Sequence, residues 1–174
     1  MATLIKERRI VADSWRLLSR GPQGELPEVP AQGDVIVPLA LWLARRAELL
    51  PRSEAGKLGV WLDANEDPKA IAGDLHGLVL VAVNFPKFGD GRGYSIARLL
   101  RERYGYHGEL RAIGDVLHDH LHFMKQCGFD AFLLREDQDA REALSALDTF
   151  SEGYQTSVLR PVPLFRRRLA AGKP

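Results

Sequence analysis

The stretch GLVLVAVNFPKFGDGRGYSIARLLRERYG (residues 77–105) decides the fold class. Its first part, LVLVAVNF, is almost entirely apolar, as a strand is when both faces of its sheet are covered. Its last part repeats at helical spacing: Ile96, Leu99 and Leu100 fall on one side, Arg98, Arg101 and Glu102 on the other. Arg103 falls inside the apolar arc, where its stem packs and its head reaches water. A strand followed by a helix is half of a βαβ unit. The connection between them exceeds the roughly two to six residues such units commonly use. It carries Gly89, Gly91 and Gly93 alternating with Asp90 and Arg92, with Lys87 just upstream.

The same alternation extends to both sides. DVIVP (34–38) reads as a strand, LALWLARRAELL (39–50) as a helix ended by Pro51, and LGVWLDA (58–64) as a strand. Asp67 followed by Pro68 is a helix start, a capping carboxylate before a proline suited to the first helical position. ELRAIGD (109–115) is a strand, VLHDHLHFMKQCG (116–128) a helix closed by glycine, and DAFLLR (130–135) the last strand. Asp139 with Glu142 opens a final helix whose Ala143, Leu144 and Leu147 share a face. The expected class is α/β, with about five parallel strands alternating with helices. The strand order is not readable, and an open doubly wound sheet and a partial barrel both fit. RRIVADSWRLLS (8–19) reads as a short N-terminal β-hairpin turning at Asp13-Ser14, and residues 20–33, rich in Pro and Gly, as a loop. The expected organisation is a single α/β domain over residues 1–157, with strand-helix repeats over 34–150, and a basic C-terminal tail over 158–174.

Composition narrows the function. The 174 residues are 45% hydrophobic and 27% charged, as in an ordinary globular domain. A net charge of +1 gives no global field for nucleic acid. No run of about 18 apolar residues is present to span a membrane, and the N-terminus lacks the apolar core of a signal peptide. The single cysteine, Cys127, excludes an internal disulfide and a cysteine-rich zinc or iron–sulfur site, and is compatible with the cytoplasm. Charge is uneven. Residues 130–152 are acidic, whereas 160–174 carry four arginines and a lysine with no acid.

In parallel α/β folds, ligands bind outside the carboxyl ends of the strands. Those ends place Asp63, then Lys87, Asp90 and Arg92, then Asp115, then Arg135 on one edge. In the long loop, glycines let the backbone approach a ligand or take positive φ. Arg92 offers a planar fork for an oxyanion, and the helix start near Tyr94 and Ser95 adds a partial positive charge. The expected binding set is therefore Lys87, Gly89, Gly91, Arg92, Gly93, Tyr94, Ser95 and Arg135, with Asp90 and Asp115 as catalytic candidates. The competing reading is a glycine-rich turn whose Arg92 is paired to a carboxylate such as Asp115. GDGRG departs from a dinucleotide fingerprint because its third glycine comes one position early, and GK[ST] of a phosphate loop is absent. His118 and His122 stand four apart on one helix, but no third metal ligand is evident and no metal site is expected. Cys127, near a helix C-terminus, reads as a packed thiol of raised pKa. Trp15, Trp42 and Trp61 read as core. No cofactor is identifiable.

The blocks FPKFGDGRGYS (85–95) and GELRAIGDVL (108–117), with CGFDAF (127–132), resemble an uncharacterised bacterial family of short proteins, a domain of unknown function whose label ties it to sulfite reduction as an oxidoreductase. The resemblance runs from RRIVADSW to FSEGYQTS. It implies a cytoplasmic protein of assimilatory sulfur metabolism, with sulfite reductase or another sulfur-assimilation enzyme as partner and a small oxyanion or sulfonucleotide as ligand. It carries over no catalytic residue. The HDHLH run and the basic extension after Ser157 depart from the family pattern. An accessory role without chemistry fits the same resemblance.

Overall fold

The computed structural model describes residues 3–147 and 155–171. Six strands run parallel and in sequence order across one sheet: β3 (Trp15–Leu17), β4 (Asp34–Pro38), β5 (Leu58–Leu62), β6 (Leu80–Phe85), β7 (Glu109–Gly114) and β8 (Ala131–Leu134). Beyond β8 the sheet continues antiparallel through β1 (Thr3–Lys6) and β2 (Arg9–Val11). There are thus eight strands in place of about five. The five expected from the strand-helix repeat are β4 to β8. An order without reversal has no switch point, so the doubly wound alternative does not apply. Right-handed crossovers that all advance in one direction put every helix on the same face, and the sheet curls into a half-barrel with helices outside.

Alternation along the strands builds two cores. Outward residues such as Val35, Val60, Val81, Ala112 and Phe132 meet the helices. Inward residues Ile36, Trp61, Leu80, Ala82 and Ile113 fill the concave side with Trp15, Leu17 and Leu133. Against the outer face lie α1 (Leu39–Ala44), α2 (Arg46–Glu54), α3 (Arg92–Arg98), α4 (Leu121–Gln126) and α5 (Ala140–Ala146). All three tryptophans pack as expected, with Trp42 fully buried.

The N-terminal hairpin is present, but its arms are β1 and β2. Its turn residues, Glu7 and Arg8, both have positive φ (50° and 62°), a conformation that Asn-Gly signals and Glu-Arg does not. Trp15–Leu17 leaves that hairpin and pairs with β4 at the far edge of the sheet. Only Ala12, Asp13 and Ser14 separate β2 from β3. The curl therefore brings the two edges of the sheet within reach of three residues, and one run of chain, 9–17, serves both.

That closure is secured from inside. Arg111, on β7, is 1% exposed and donates from Nη1 to both carboxylate oxygens of Asp13 (3.0 and 2.9 Å). Its Nε donates to Glu109 Oε1 at 2.7 Å, and Lys6 Nζ takes the other Glu109 oxygen at 2.7 Å. Trp61 Nε1 adds a bond to the Leu18 carbonyl at 2.9 Å.

Several helices differ from expectation for local reasons. The helix after β4 breaks at Arg45 (φ −125°, ψ 28°) and restarts, so Pro51 lies inside α2 instead of ending it. Asp67 caps as expected, accepting from Lys69 N at 2.9 Å, but the following residues make only two short 3-10 turns. Residues 118–120 are a 3-10 turn ahead of α4. After α3 the chain forms a π turn, Leu99–Arg103. A π turn inserts a residue and rotates the face that follows. Arg103 is accordingly exposed, and Arg101 takes the inner place, donating to the carbonyls of Tyr106, Gly108 and Gly128 and pairing with Asp130. The Asp139 carboxylate caps α5 through the N–H groups of Arg141 and Glu142. In the basic tail, α6 (Leu164–Ala170) buries none of its residues. Among the described residues no helix is long and apolar enough to cross a membrane. Parts of the acidic segment, 148–152, and of the tail, 172–174, lie outside the described residues.

Cys127 is buried, and its thiol is pushed up to about 11, first by that burial. Iodoacetamide at pH 8 is expected to label it far more slowly in the native protein than in urea, read by mass spectrometry. Equal rates would contradict the burial.

Candidate functional site

Polar residues converge at the carboxyl mouth of the half-barrel. Asp63, Asn84, Asp115 and Arg135 follow or end the four neighbouring strands β5 to β8, a row of about 14 Å at ordinary strand spacing. For Asp63, Asn84 and Arg135 the alternation continues that of the inward residues Trp61, Ala82 and Leu133. Asn84 Nδ2 donates to Asp63 Oδ1 at 3.1 Å, and the Ala64 N–H donates to the same oxygen at 2.8 Å. Glu66 accepts the Asp63 N–H at 2.7 Å and pairs with Arg20, whose guanidinium lies 5.1 Å from the Trp61 ring centre.

Gly114 joins the two halves of the row. Its φ is +91°, and a Cβ there would come 2.4 Å from Asn84 Oδ1 and 2.5 Å from the Phe85 carbonyl oxygen. The same carbonyl accepts the Asp115 N–H at 2.7 Å. Glycine is required at this point so that β7 can turn beside Asn84 and aim Asp115 across the mouth.

The long loop after β6 closes on itself. Arg92 donates from Nε and Nη2 to the two oxygens of Asp90 (2.9 and 2.6 Å), and its N–H donates to Oδ1 at 3.1 Å. These bonds hold the Asp90 carboxyl at about 2, with the Arg92 side chain the leading cause. Asp90 thereby fixes Arg92. Arg92 itself is raised by Asp90 first, with a further contribution through space from Asp63. The expected alternative partner, Asp115, instead pairs with Arg135, whose Nη1 donates to Asp115 Oδ1 at 2.5 Å. Arg135 is also forked onto Asp137 (2.6 and 2.7 Å), which it holds at about 2. All three of its nitrogens are thus engaged. Arg92 keeps Nη1 without a protein partner among the described residues, and Lys87 keeps its ammonium.

Not all of the expected set faces the mouth. Gly89 and Gly91 lie outside the left-handed region; a side chain at Gly89 would stand in open space, and one at Gly91 would touch the Tyr94 ring at 3.8 Å. Gly93 is set by packing, since a Cβ there would meet the Phe85 ring at 2.7 Å. Tyr94 is wedged between Phe85 and Phe123 (ring centres 5.1 and 4.8 Å), and burial raises its pKa. Ser95 lies on the flank of α3 with Arg98 and Glu102. The structure thus forms two groups at the strand ends, Asp63 with Asn84 and the neighbouring Asp90–Arg92 pair, and Asp115 with Arg135 and Asp137, and it sets Gly93, Tyr94 and Ser95 into the scaffold.

Sequence reasoning missed Asn84 and Asp137. Asn84 had a signal, being the one polar residue in an apolar strand and at an inward position near its end. His118 and His120 follow Asp115 in the 3-10 turn after β7. His118 Nδ1 meets Gln138 Oε1 at 2.9 Å, and His120 stacks on Phe88 (ring centres 4.4 Å). Among the described residues no three His, Cys, Asp or Glu side chains group to hold a metal ion.

The family model described as bacterial protein of unknown function (DUF934) matches residues 59–165. That span begins in β5 and contains every mouth residue named above except Arg20. No curated protein and no solved structure matches the chain.

Proposed function

The chain belongs to this bacterial family of unknown function, and from that premise we propose that the half-barrel mouth binds a small ligand carrying an oxyanion. The sulfur-assimilation setting, sulfite reduction in the cytoplasm, comes from the sequence resemblance and is part of the same proposal. One observation carries the binding reading. Arg92 is held by Asp90 with one edge left over, and it feels through space the charge of Asp63, which is itself held by Asn84. A cation and a carboxylate, each fixed by a second side chain, stand at the strand ends where parallel α/β folds bind ligands. Lys87 and the free edge of Arg92 hold the anion. Asp63 and Asp115 accept hydrogen bonds from the rest of the ligand. The chain's described residues offer no redox centre of their own, so an oxidoreductase role draws its electrons from a bound cofactor or a partner enzyme.

The test is a thermal-shift and calorimetric panel of sulfite, sulfate and phosphate. A ligand at about a hundred times its Kd stabilises the fold by about 2.7 kcal/mol. Arg92→Ala is expected to weaken binding by about ten- to a hundredfold, the worth of a charged hydrogen bond, with the fold intact because the side chain is exposed. Binding unchanged in Arg92→Ala, or absent in the wild type, would end the oxyanion reading.

A second reading has its own observation. The tail helix α6 exposes Phe165 and Leu169 beside Arg166, Arg167 and Arg168, a surface suited to an acidic partner. An accessory protein docking on sulfite reductase would use it. Salt-sensitive co-purification that is lost on truncation after residue 160 and indifferent to Arg92 would favour this reading over the first.

A further inference from the structure

The mouth carries more carboxylates than a bare oxyanion site needs. Among the described residues, Asp90 pairs with Arg92, and Asp115 and Asp137 with Arg135, while Asp63 has only neutral partners. A ligand with hydroxyl donors as well as an anionic group uses both signs, its hydroxyls on the carboxylates and its anion on the cations.

Two further features stand at the same rim. Phe88 follows Lys87 directly and is 55% exposed. The Lys87 carbonyl accepts the Asp90 N–H at 3.0 Å, so this tight turn keeps Phe88 close to the Asp90–Arg92 pair. One face of the Phe88 ring lies on His120, with 31° between the planes, and the ring's remaining exposure is to solvent. His120 Nδ1 is buried and has no hydrogen-bond partner among the described residues. Buried polar nitrogens in native structures ordinarily have one. Burial also lowers the His120 pKa, which favours the neutral imidazole.

An exposed aromatic ring, an unpartnered ring nitrogen beneath it, two cations in the same loop and carboxylates across the mouth describe one ligand class. We infer that the site takes a nucleotide: a planar heteroaromatic base on Phe88, ribose hydroxyls on Asp63 and Asp115, and a phosphate-type group on Lys87 and Arg92. The base is held by stacking, which tolerates any base because each has a π face. This mode does not use the tight glycine turn of a dinucleotide fingerprint, which the sequence lacks. The inference rests on the oxyanion reading for its anionic end and adds the base and sugar.

The experiment is calorimetric titration of the full chain with adenosine 5′-monophosphate, inorganic phosphate and adenosine as separate probes. Wild type, Phe88→Ala and Arg92→Ala are compared. The monophosphate is expected to bind more tightly than either fragment. Phe88→Ala should weaken the monophosphate by about five- to a hundredfold, the range of one stacked base, and leave phosphate unchanged. Arg92→Ala should weaken the monophosphate and phosphate and spare adenosine. Phe88 is exposed, so its removal leaves the fold intact. Phosphate binding that the base does not improve, or a monophosphate affinity indifferent to Phe88, would overturn the nucleotide and leave the oxyanion reading standing. Failure of both phosphate and the monophosphate to bind would overturn both.

Discussion

Arg111→Ala is expected to lose about 3–5 kcal/mol of stability, the usual cost of removing one member of a buried charge pair. The side chain is 1% exposed and is the common partner of Asp13 and Glu109. Its removal leaves the largely buried Glu109 carboxylate and the partly covered Asp13 carboxylate without their shared partner, and of the two only Glu109 retains a cation, Lys6. It also empties the volume of a long side chain. Arg111→Met separates these terms. It refills much of the space and leaves only the carboxylates unpaired, so it should cost clearly less than alanine, and Arg111→Met with Asp13→Asn less again. Urea unfolding of the three variants measures the ladder. A loss below about 1 kcal/mol in Arg111→Ala would mean that the link between β7 and the 12–14 segment does not hold the curl closed.

Gly114→Ala is the second large effect and reports on the mouth. The residue sits at φ +91°, and the added methyl would meet Asn84 Oδ1 and the Phe85 carbonyl at about 2.4–2.5 Å. Positive φ in a residue with a side chain costs about 1–3 kcal/mol, and overpacking adds a similar amount. About 2–4 kcal/mol is expected in total, since Asn84 can rotate but the Phe85 carbonyl cannot move without breaking its bond to the Asp115 N–H. Rotation of Asn84 removes its bond to Asp63. Ligand binding should therefore fall even at temperatures where the variant is fully folded. A variant as stable as wild type, within about 0.5 kcal/mol, would show that this turn is not strained by a side chain.

These two residues also mark what was legible in the sequence. The βα repeat was readable because buried strands and amphipathic helices have different periods, and β4 to β8 lie where the pattern puts them. Curl and closure were not, since they depend on pairings between distant segments. β1 pairs with β8, and β3 with β4, and no local signal marks either. Arg111 was an anomaly in view, a charge between Leu110 and Ala112 in an apolar strand. It gains meaning only once the strand is known to line a concave interior. The site shows the same division. Asp63, Asp115 and Arg135 were found because a strand's carboxyl end can be read from its pattern. Arg92 was named as an anion-binding residue, and the competing reading had it paired to a carboxylate such as Asp115; it is paired to Asp90, because a salt bridge two residues away competes with one across the mouth, and only coordinates decide between them. The loop glycines are a different case. Three in a row at alternate positions suggested backbone contact with a ligand, yet the glycine on which the mouth depends is the isolated Gly114.

The single run of chain that serves both edges of the sheet has a consequence for biosynthesis. β1 and β2 are made before the other strands, but β8, the strand with which β1 pairs, is made last among them. At about 5–20 residues per second, the N-terminal hairpin waits on the order of ten seconds for its partner. During that interval β3 can join β4 while the opposite edge of the growing sheet stays unpaired. A nascent chain in this state presents a template for other strands. The last pairing also closes the longest loop in the molecule, which makes it the slow step. Chaperone demand should therefore peak late in translation and fall once residues 131–134 have emerged, and a chain stopped before β8 should remain bound to chaperone instead of folding on its own.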